Sequence, residues 1–402
     1  MNPPDEELFA LAPEDTGDEP PAGAGEPGAQ PGPEPAPRAG LKKRVIPDPP
    51  EIDQAKGRQT LGFLVILALA AFVIMAAVGT LNTLADPYGM VGMRLLPSAT
   101  TTDRTVKADL IEALRRPPQL IVLGSSRSMM YEPAYLKQKT GLRTFNAGLN
   151  GIGGTADTWA IANFIHDRFP SSQPAYFWLV DVESFVPFSV QGRTAGEPRL
   201  ARYIDETGAS RSVSSILTKV YRDRATVFSW ATASDSLRVL THRTQAAKTN
   251  SSYRKRFRPD GTYNPRGDTA AVFKKHFLPS VQRYHDLYTN AYHGLDSRAN
   301  AYFERTLKFV NDHGATPLIV LTPINPKLLK IIGALGWYTR HRQVVDYMKS
   351  LHANYKFVFI DLTAIATFNG DPEQFTDGVH MTTVNTRRAI DYVLQQTGGL
   401  PK

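Results

Sequence analysis

The strongest constraint on how this chain folds is a run of 19 residues without a charge, from Leu61 to Gly79 (LGFLVILALAAFVIMAAVG). At about 1.5 Å per residue, a helix of that length crosses the roughly 30 Å hydrocarbon core of a bilayer. The run lacks the polar stripe expected of a helix in a soluble core. It also begins too far from Met1 to be the apolar segment of a cleaved signal peptide. Lys42, Lys43, Arg44, Lys56 and Arg58 precede it closely, whereas only Arg94 and Arg104 follow nearby. That asymmetry predicts one transmembrane helix over residues 59–84, with the N-terminus in the cytoplasm and the chain from residue 85 outside.

The flanks of the run differ sharply. Residues 1–41 carry ten prolines and nine acidic residues against one arginine. Such a stretch buries too little apolar surface to offset chain entropy, so residues 1–58 are expected to form a disordered, Pro-rich cytoplasmic tail with a basic juxtamembrane end. The chain has no cysteine, which excludes disulfides, thiolate catalysis and Cys-ligated metals. That fits a bacterial inner-membrane protein with a periplasmic domain without requiring it. The net charge is +8, and the stretch from Arg193 to Arg298 alone holds 19 Lys/Arg against nine Asp/Glu. Outside the cytoplasm, an anionic polysaccharide, teichoic acid or lipid headgroup suits that block better than nucleic acid.

From Gln119 onward, short apolar runs alternate with amphipathic stretches, the pattern of an α/β fold with a parallel sheet and crossover helices. Expected strands are Leu120–Leu123, Arg143–Asn146, Tyr176–Asp181, Pro317–Leu321 and Phe357–Asp361. Expected helices include Ala156–Arg168, Ser297–His313, Lys327–His352 and Thr383–Gln396. The basic block, about residues 187–296, interrupts the alternation and is expected to form an inserted, mainly helical cap on a domain spanning residues 85–402. Ligands of open parallel sheets bind beyond the carboxyl ends of the strands. Ser126, Asn146, Gly151, Asp181, Asn325 and Asp361 all fall at or just past such ends.

Two short motifs among these carry chemistry. Gly124-Ser125-Ser126-Arg127-Ser128 follows the first strand, and Asp377-Gly378-Val379-His380 lies near the C-terminus. Serine, histidine and aspartate are the nucleophile, base and orienter of an acyl-transfer triad. Each motif has an ordinary alternative: Ser126 as a turn or capping serine, Asp377-Gly378 as a simple turn. Ser125 is a second candidate nucleophile. Gly148, Gly151, Gly153 and Gly154 form no P-loop, because no Lys-Ser/Thr pair follows them.

Gly124-Ser125-Ser126, the Phe145-Asn146-Ala147-Gly148-Leu149-Asn150-Gly151 run, the Leu321-Thr322-Pro323-Ile324-Asn325-Pro326 segment and Asp377-x-x-His380 together resemble, in order, the blocks of the SGNH (GDSL-like) hydrolase superfamily. The resemblance covers about residues 119–186 and 298–395 and implies a three-layer, flavodoxin-like fold. It implies Ser126 as nucleophile, His380 as base, Asp377 as its orienter, and the N–H groups of Ser126 and Gly151 as oxyanion hole. The family's third block normally offers an asparagine, but here the chain reads Asp181-Val182-Glu183-Ser184-Phe185. Asn150 and Arg127 are candidates to replace that donor. Arg127, Asp181 and Asn325 are further candidates for substrate contact, and no metal or cofactor is expected.

The altered third block and the anchor resemble a branch of membrane-anchored SGNH-like proteins of polymer acylation, such as the teichoic acid D-alanyl-transfer and alginate O-acetylation proteins. That resemblance implies an O-acyltransferase acting on a cell-surface or secreted polysaccharide, supplied by a polytopic membrane O-acyltransferase. An esterase that deacylates glycans and a non-catalytic polysaccharide-binding or export scaffold remain alternatives.

Overall fold

A computed structural model describes residues 54–87, 102–151, 154–187, 197–204, 224–241, 253–264 and 270–401, with a few isolated positions between them. The acidic tail and much of the basic block lie outside the described residues. Helix α1 (Gln54–Ala85) contains the apolar run. Its segment from Gln59 to Ala85 is 27 residues long and apolar enough to cross a membrane, with its large side chains from Leu61 to Met75 exposed.

The remaining elements, in chain order, are α2 (Asp103–Ala113), β1 (Leu120–Leu123), α3 (Pro133–Thr140), β2 (Thr144–Asn146), α4 (Thr155–Arg168), β3 (Ala175–Val180), α5 (Trp230–Thr241), α6 (Ala270–Asn290), α7 (Ser297–Asp312), β4 (Leu318–Leu321), α8 (Pro326–Ile332), α9 (Tyr338–Leu351), β5 (Val358–Asp361) and α10 (Thr383–Thr397). The five strands pair in the order β2-β1-β3-β4-β5, and every pairing is parallel. That order reverses direction at β1, leaving a crevice beyond the carboxyl ends of β1 and β3 where doubly wound sheets take their ligands.

The three central strands β1, β3 and β4 read as unbroken apolar runs because both faces of the sheet are buried there. Ile121, Leu123, Trp178, Val180, Ile319 and Leu321 enter one apolar cluster with residues of α4, α7, α8 and α9. Their neighbours Leu120, Val122, Phe177, Leu179, Leu318 and Val320 enter a second with Leu136 of α3 and Ala389, Ile390 and Val393 of α10. Alternate side chains of one strand thus feed opposite layers, as the two-residue period of an extended chain requires.

The stretch expected as one helix over Lys327–His352 is instead broken. A π-helical turn at Gly333–Trp337 separates α8 from α9, and Gly336 takes φ 98° there, a left-handed conformation that glycine adopts without steric cost. Two helices that the sequence reading passed over, α2 and α3, complete the layers. Thr102 caps α2 by accepting from the Thr105 N–H, and Pro133 opens α3.

Candidate active site

The chain leaves β1 through Gly124, whose φ of 141° few other residues tolerate. A Cβ there would lie 2.5 Å from the Leu179 carbonyl oxygen of the neighbouring strand. Only glycine lets the chain turn this tightly against β3. A single 3-10 turn, Ser126–Ser128, follows. The two candidate serines now separate. Ser125 is buried, and its Oγ accepts from the Arg127 N–H at 3.1 Å, capping the turn. Ser126 is only half-buried and points its Oγ at His380 Nε2, 2.8 Å away.

The Asp-x-x-His spacing has a local geometric cause. Asp377 folds back on its own loop: Oδ1 accepts from the Val379 N–H at 2.7 Å and the His380 N–H at 2.8 Å. That fixes the carboxylate and leaves Oδ2 for His380 Nδ1, 2.7 Å away. The loop is closed by the Thr376 N–H donating to the His380 carbonyl at 2.8 Å. These bonds and the adjacent imidazole outweigh the cost of burial and hold the Asp377 carboxyl down at about 2. The carboxylate is therefore charged at any physiological pH, and its contribution to stability is lost only as pH falls from about 4 toward 2.

Asn325 aligns this loop with the sheet. Its backbone N–H donates to the Gly378 carbonyl at 3.0 Å and its Nδ2 to the Pro372 carbonyl at 2.8 Å. Its Oδ1 accepts from the Lys327 N–H at 2.9 Å, capping α8. All its polar groups are spent inside the protein, and it is fully buried. Asn325 therefore fastens the His380 loop instead of meeting substrate.

Arg127 and Asp181, the other two candidates for substrate contact, are likewise inside. Arg127 Nη2 donates to Glu183 Oε2 at 2.7 Å and to the Tyr284 hydroxyl at 2.9 Å, and Nη1 donates to Thr322 Oγ1 at 3.0 Å. Thr322 in turn donates to Asp181 Oδ1 at 2.6 Å, and the Tyr288 hydroxyl donates to Glu183 Oε1 at 2.6 Å. The flanking carboxylates Asp181 and Glu183 raise the Arg127 guanidinium well above its ordinary value despite its burial. Arg127 is thus held in the interior by Glu183, Tyr284 and Thr322, with Asp181 Oδ1 3.6 Å from its Nε.

Glu183 is an ion-pair partner of Arg127 and an acceptor from Tyr288. Sequence reasoning missed Tyr284 and Tyr288 altogether. They lie on α6, in the basic insertion, one helical turn apart, and the only signal for them was that i, i+4 spacing.

The loop after β2 is held from α2. The Asn150 N–H donates to Asp103 Oδ2 at 2.5 Å, and its carbonyl accepts from Arg104 Nη1 at 3.0 Å. Asn150's backbone donor is therefore occupied, which leaves its exposed side chain as the candidate oxyanion donor. Asn146 is buried and splices β2 to the turn bearing Ser126: its Nδ2 donates to the Ser128 and Tyr131 carbonyls, both at 2.8 Å. Lys107 Nζ donates to the Asn146 carbonyl and, at 2.6 Å, to the Gly261 carbonyl. Burial pushes this ammonium down to about 7. Among the described residues, the N–H groups of Ser126 and Gly151 donate to no protein acceptor. No group of metal-ligating side chains occurs among the described residues.

No protein-family model matches this chain, and no curated protein sequence matches it. The geometry presents a hydroxyl, an imidazole and a carboxylate in series, at the carboxyl end of a parallel sheet.

Proposed function

We propose that this protein is a membrane-anchored, SGNH-like serine acyltransferase that modifies hydroxyl groups of an extracytoplasmic polysaccharide. The observation that carries the proposal is the relay from Ser126 Oγ through His380 to Asp377, with separations of 2.8 and 2.7 Å. Ser126 Oγ attacks the acyl carbonyl while its proton passes to His380 Nε2. Asp377 keeps Nδ1 protonated and stabilises the imidazolium. The free N–H groups of Ser126 and Gly151 receive the developing oxyanion. His380 then protonates the departing group, leaving an acyl-Ser126 ester. A glycan hydroxyl gives its proton to His380 and attacks that ester, which transfers the acyl group and regenerates Ser126.

Three features support transfer onto a polymer at the membrane. Helix α1 is long and apolar enough to anchor the domain. The basic insertion suits an acidic chain. The Asp181–Phe185 stretch that resembles the third block carries no asparagine, and its Glu183 is committed to Arg127. In this reading the site lies outside the inner membrane with the N-terminus in the cytoplasm, and a polytopic membrane O-acyltransferase supplies the acyl group. The test is Ser126→Ala, with polymer-bound acyl groups measured by NMR. Acylation is expected to fall to background. Unchanged acylation overturns the proposal, and acyl release from glycan without transfer to added acceptor assigns the same residues to an esterase.

A further inference from the structure

Beyond α1, six of the nine large apolar side chains that are exposed among the described residues fall between 217 and 240. They belong to the basic insertion, and the structure shows where that stretch sits. Asn82, near the C-terminal end of α1, is buried. Its Nδ2 donates to the Val227 carbonyl at 2.7 Å and the Ser229 carbonyl at 3.1 Å, while its Oδ1 accepts from Ser236 Oγ at 2.8 Å. One turn earlier, Gly79 lies against the Phe228 ring so closely that a Cβ would approach Cε1 to 2.4 Å.

Helix α5 thus packs on the last turns of α1. Its buried residues Thr232, Ala233, Ser236 and Val239 form one face. Beside that face run Trp230 at 75% exposure and Leu237 at 52%, seven residues apart on a single stripe, with Leu240 at its flank. Arg238 borders that stripe and pairs with Asp235 at 3.2 Å.

Helix α1 acts as a depth gauge for this surface. From Leu61, the 18 steps to Gly79 rise about 27 Å, close to the full hydrocarbon thickness. Phe228 and Trp230 therefore lie level with the outer boundary of the apolar span. A half-exposed phenylalanine, an exposed tryptophan and leucines beside arginine are the composition of a helix lying in a membrane interface. Resting on the anchor reading of α1, we infer that the exposed face of α5, together with Phe228, is immersed in the headgroup region of the outer leaflet. The insertion then meets lipid at a second place besides the spanning helix, which limits tilting of the outer domain about its anchor.

The absence of cysteine makes a clean test possible. Single-cysteine variants Leu69→Cys, Leu237→Cys and Lys308→Cys of the full chain carry a nitroxide label, are reconstituted in protein-free anionic liposomes, and are read by collision with oxygen and with a water-soluble nickel chelate. Position 308, an exposed lysine on α7, reports bulk solvent. The label at 237 is expected to collide with nickel at least about threefold less than that at 308 and to gain oxygen collisions, as an interfacial side chain does. A label at 237 as nickel-accessible as that at 308, with position 69 lipid-buried, overturns the inference and leaves the anchor intact. A water-exposed label at 69 overturns both. Protection of 237 in native membranes but not in liposomes assigns the face to a membrane protein and overturns the lipid assignment.

Discussion

Two His–Asp pairs sit at the carboxyl side of this sheet, and they differ in which ring nitrogen meets the carboxylate. His380 uses Nδ1 toward Asp377 and keeps Nε2 for Ser126. His341 of α9 uses Nε2 toward Asp361, at 2.6 Å, and the same nitrogen is the one 3.3 Å from Thr363 Oγ1. A relay needs one nitrogen to take a proton while the other is held by the carboxylate. His341 offers both partners a single nitrogen, stacks flat on Trp337 with centroids 5.0 Å apart, and faces a hydroxyl already donating to Asp361 Oδ1 at 2.6 Å. The same residue types therefore make a hydroxyl–imidazole–carboxylate series in one place and a brace between α9 and β5 in the other.

The comparison can be broken most sharply at Ser126 and His380. Either replaced by alanine is expected to lower kcat by about 10⁴-fold or more, because members of a triad act as a unit. Single-turnover acyl transfer and labelling by a fluorophosphonate would both read this, and labelling retained in Ser126→Ala would overturn the assignment. Asp377→Asn comes next. It is expected to cost about 10³–10⁴-fold by favouring the wrong imidazole tautomer. It should also flatten the loss of stability that the wild type shows between about pH 4 and 2, measured by urea midpoints across that range.

Glu183→Ala tests the support beneath the first pair. It leaves Arg127 buried beside a single remaining carboxylate, for a cost of about 3 kcal/mol in unfolding free energy. Activity is expected to fall as the turn bearing Ser126 loosens. The smallest effect is expected from His341→Gln, with activity within about twofold of wild type and about 1 kcal/mol of stability lost, since the pair is partly exposed. A His341→Gln protein as inactive as His380→Ala would erase the distinction between the two pairs.

Much of this was legible from residue order. β1, β3 and β4 are buried apolar runs in a parallel sheet, and all five segments stood out within one residue of their observed ends. The Asp377-x-x-His380 spacing works through bonds within one loop, and local geometry is what spacing encodes. The roles of Arg127, Asp181 and Asn325 were not legible. Their position past strand ends is shared by substrate contacts and by internal ties, and only partners distant in sequence separate the two. Arg127 meets Tyr284, 157 residues away. The break at Gly336 was hidden for a different reason: helical periodicity runs through Lys327–His352 on both sides of it, and one glycine does not reveal whether it takes a left-handed turn.

The tyrosines of α6 carry a consequence for engineering. A basic insertion facing a polymer invites exchange between proteins as a means of redirecting specificity. Here the last helix of that insertion is also part of the foundation of the turn bearing Ser126, through Tyr284 on Arg127 and Tyr288 on Glu183. Ser280 of the same helix lies 2.9 Å from where a Cβ on Gly378 would stand, so the helix also backs the histidine loop. A chimera cut at residue 296 would import a new polymer-facing surface and remove both props at once. Joining it instead ahead of Ala270, with α6 retained, would keep the chemistry native while the recognition surface is changed.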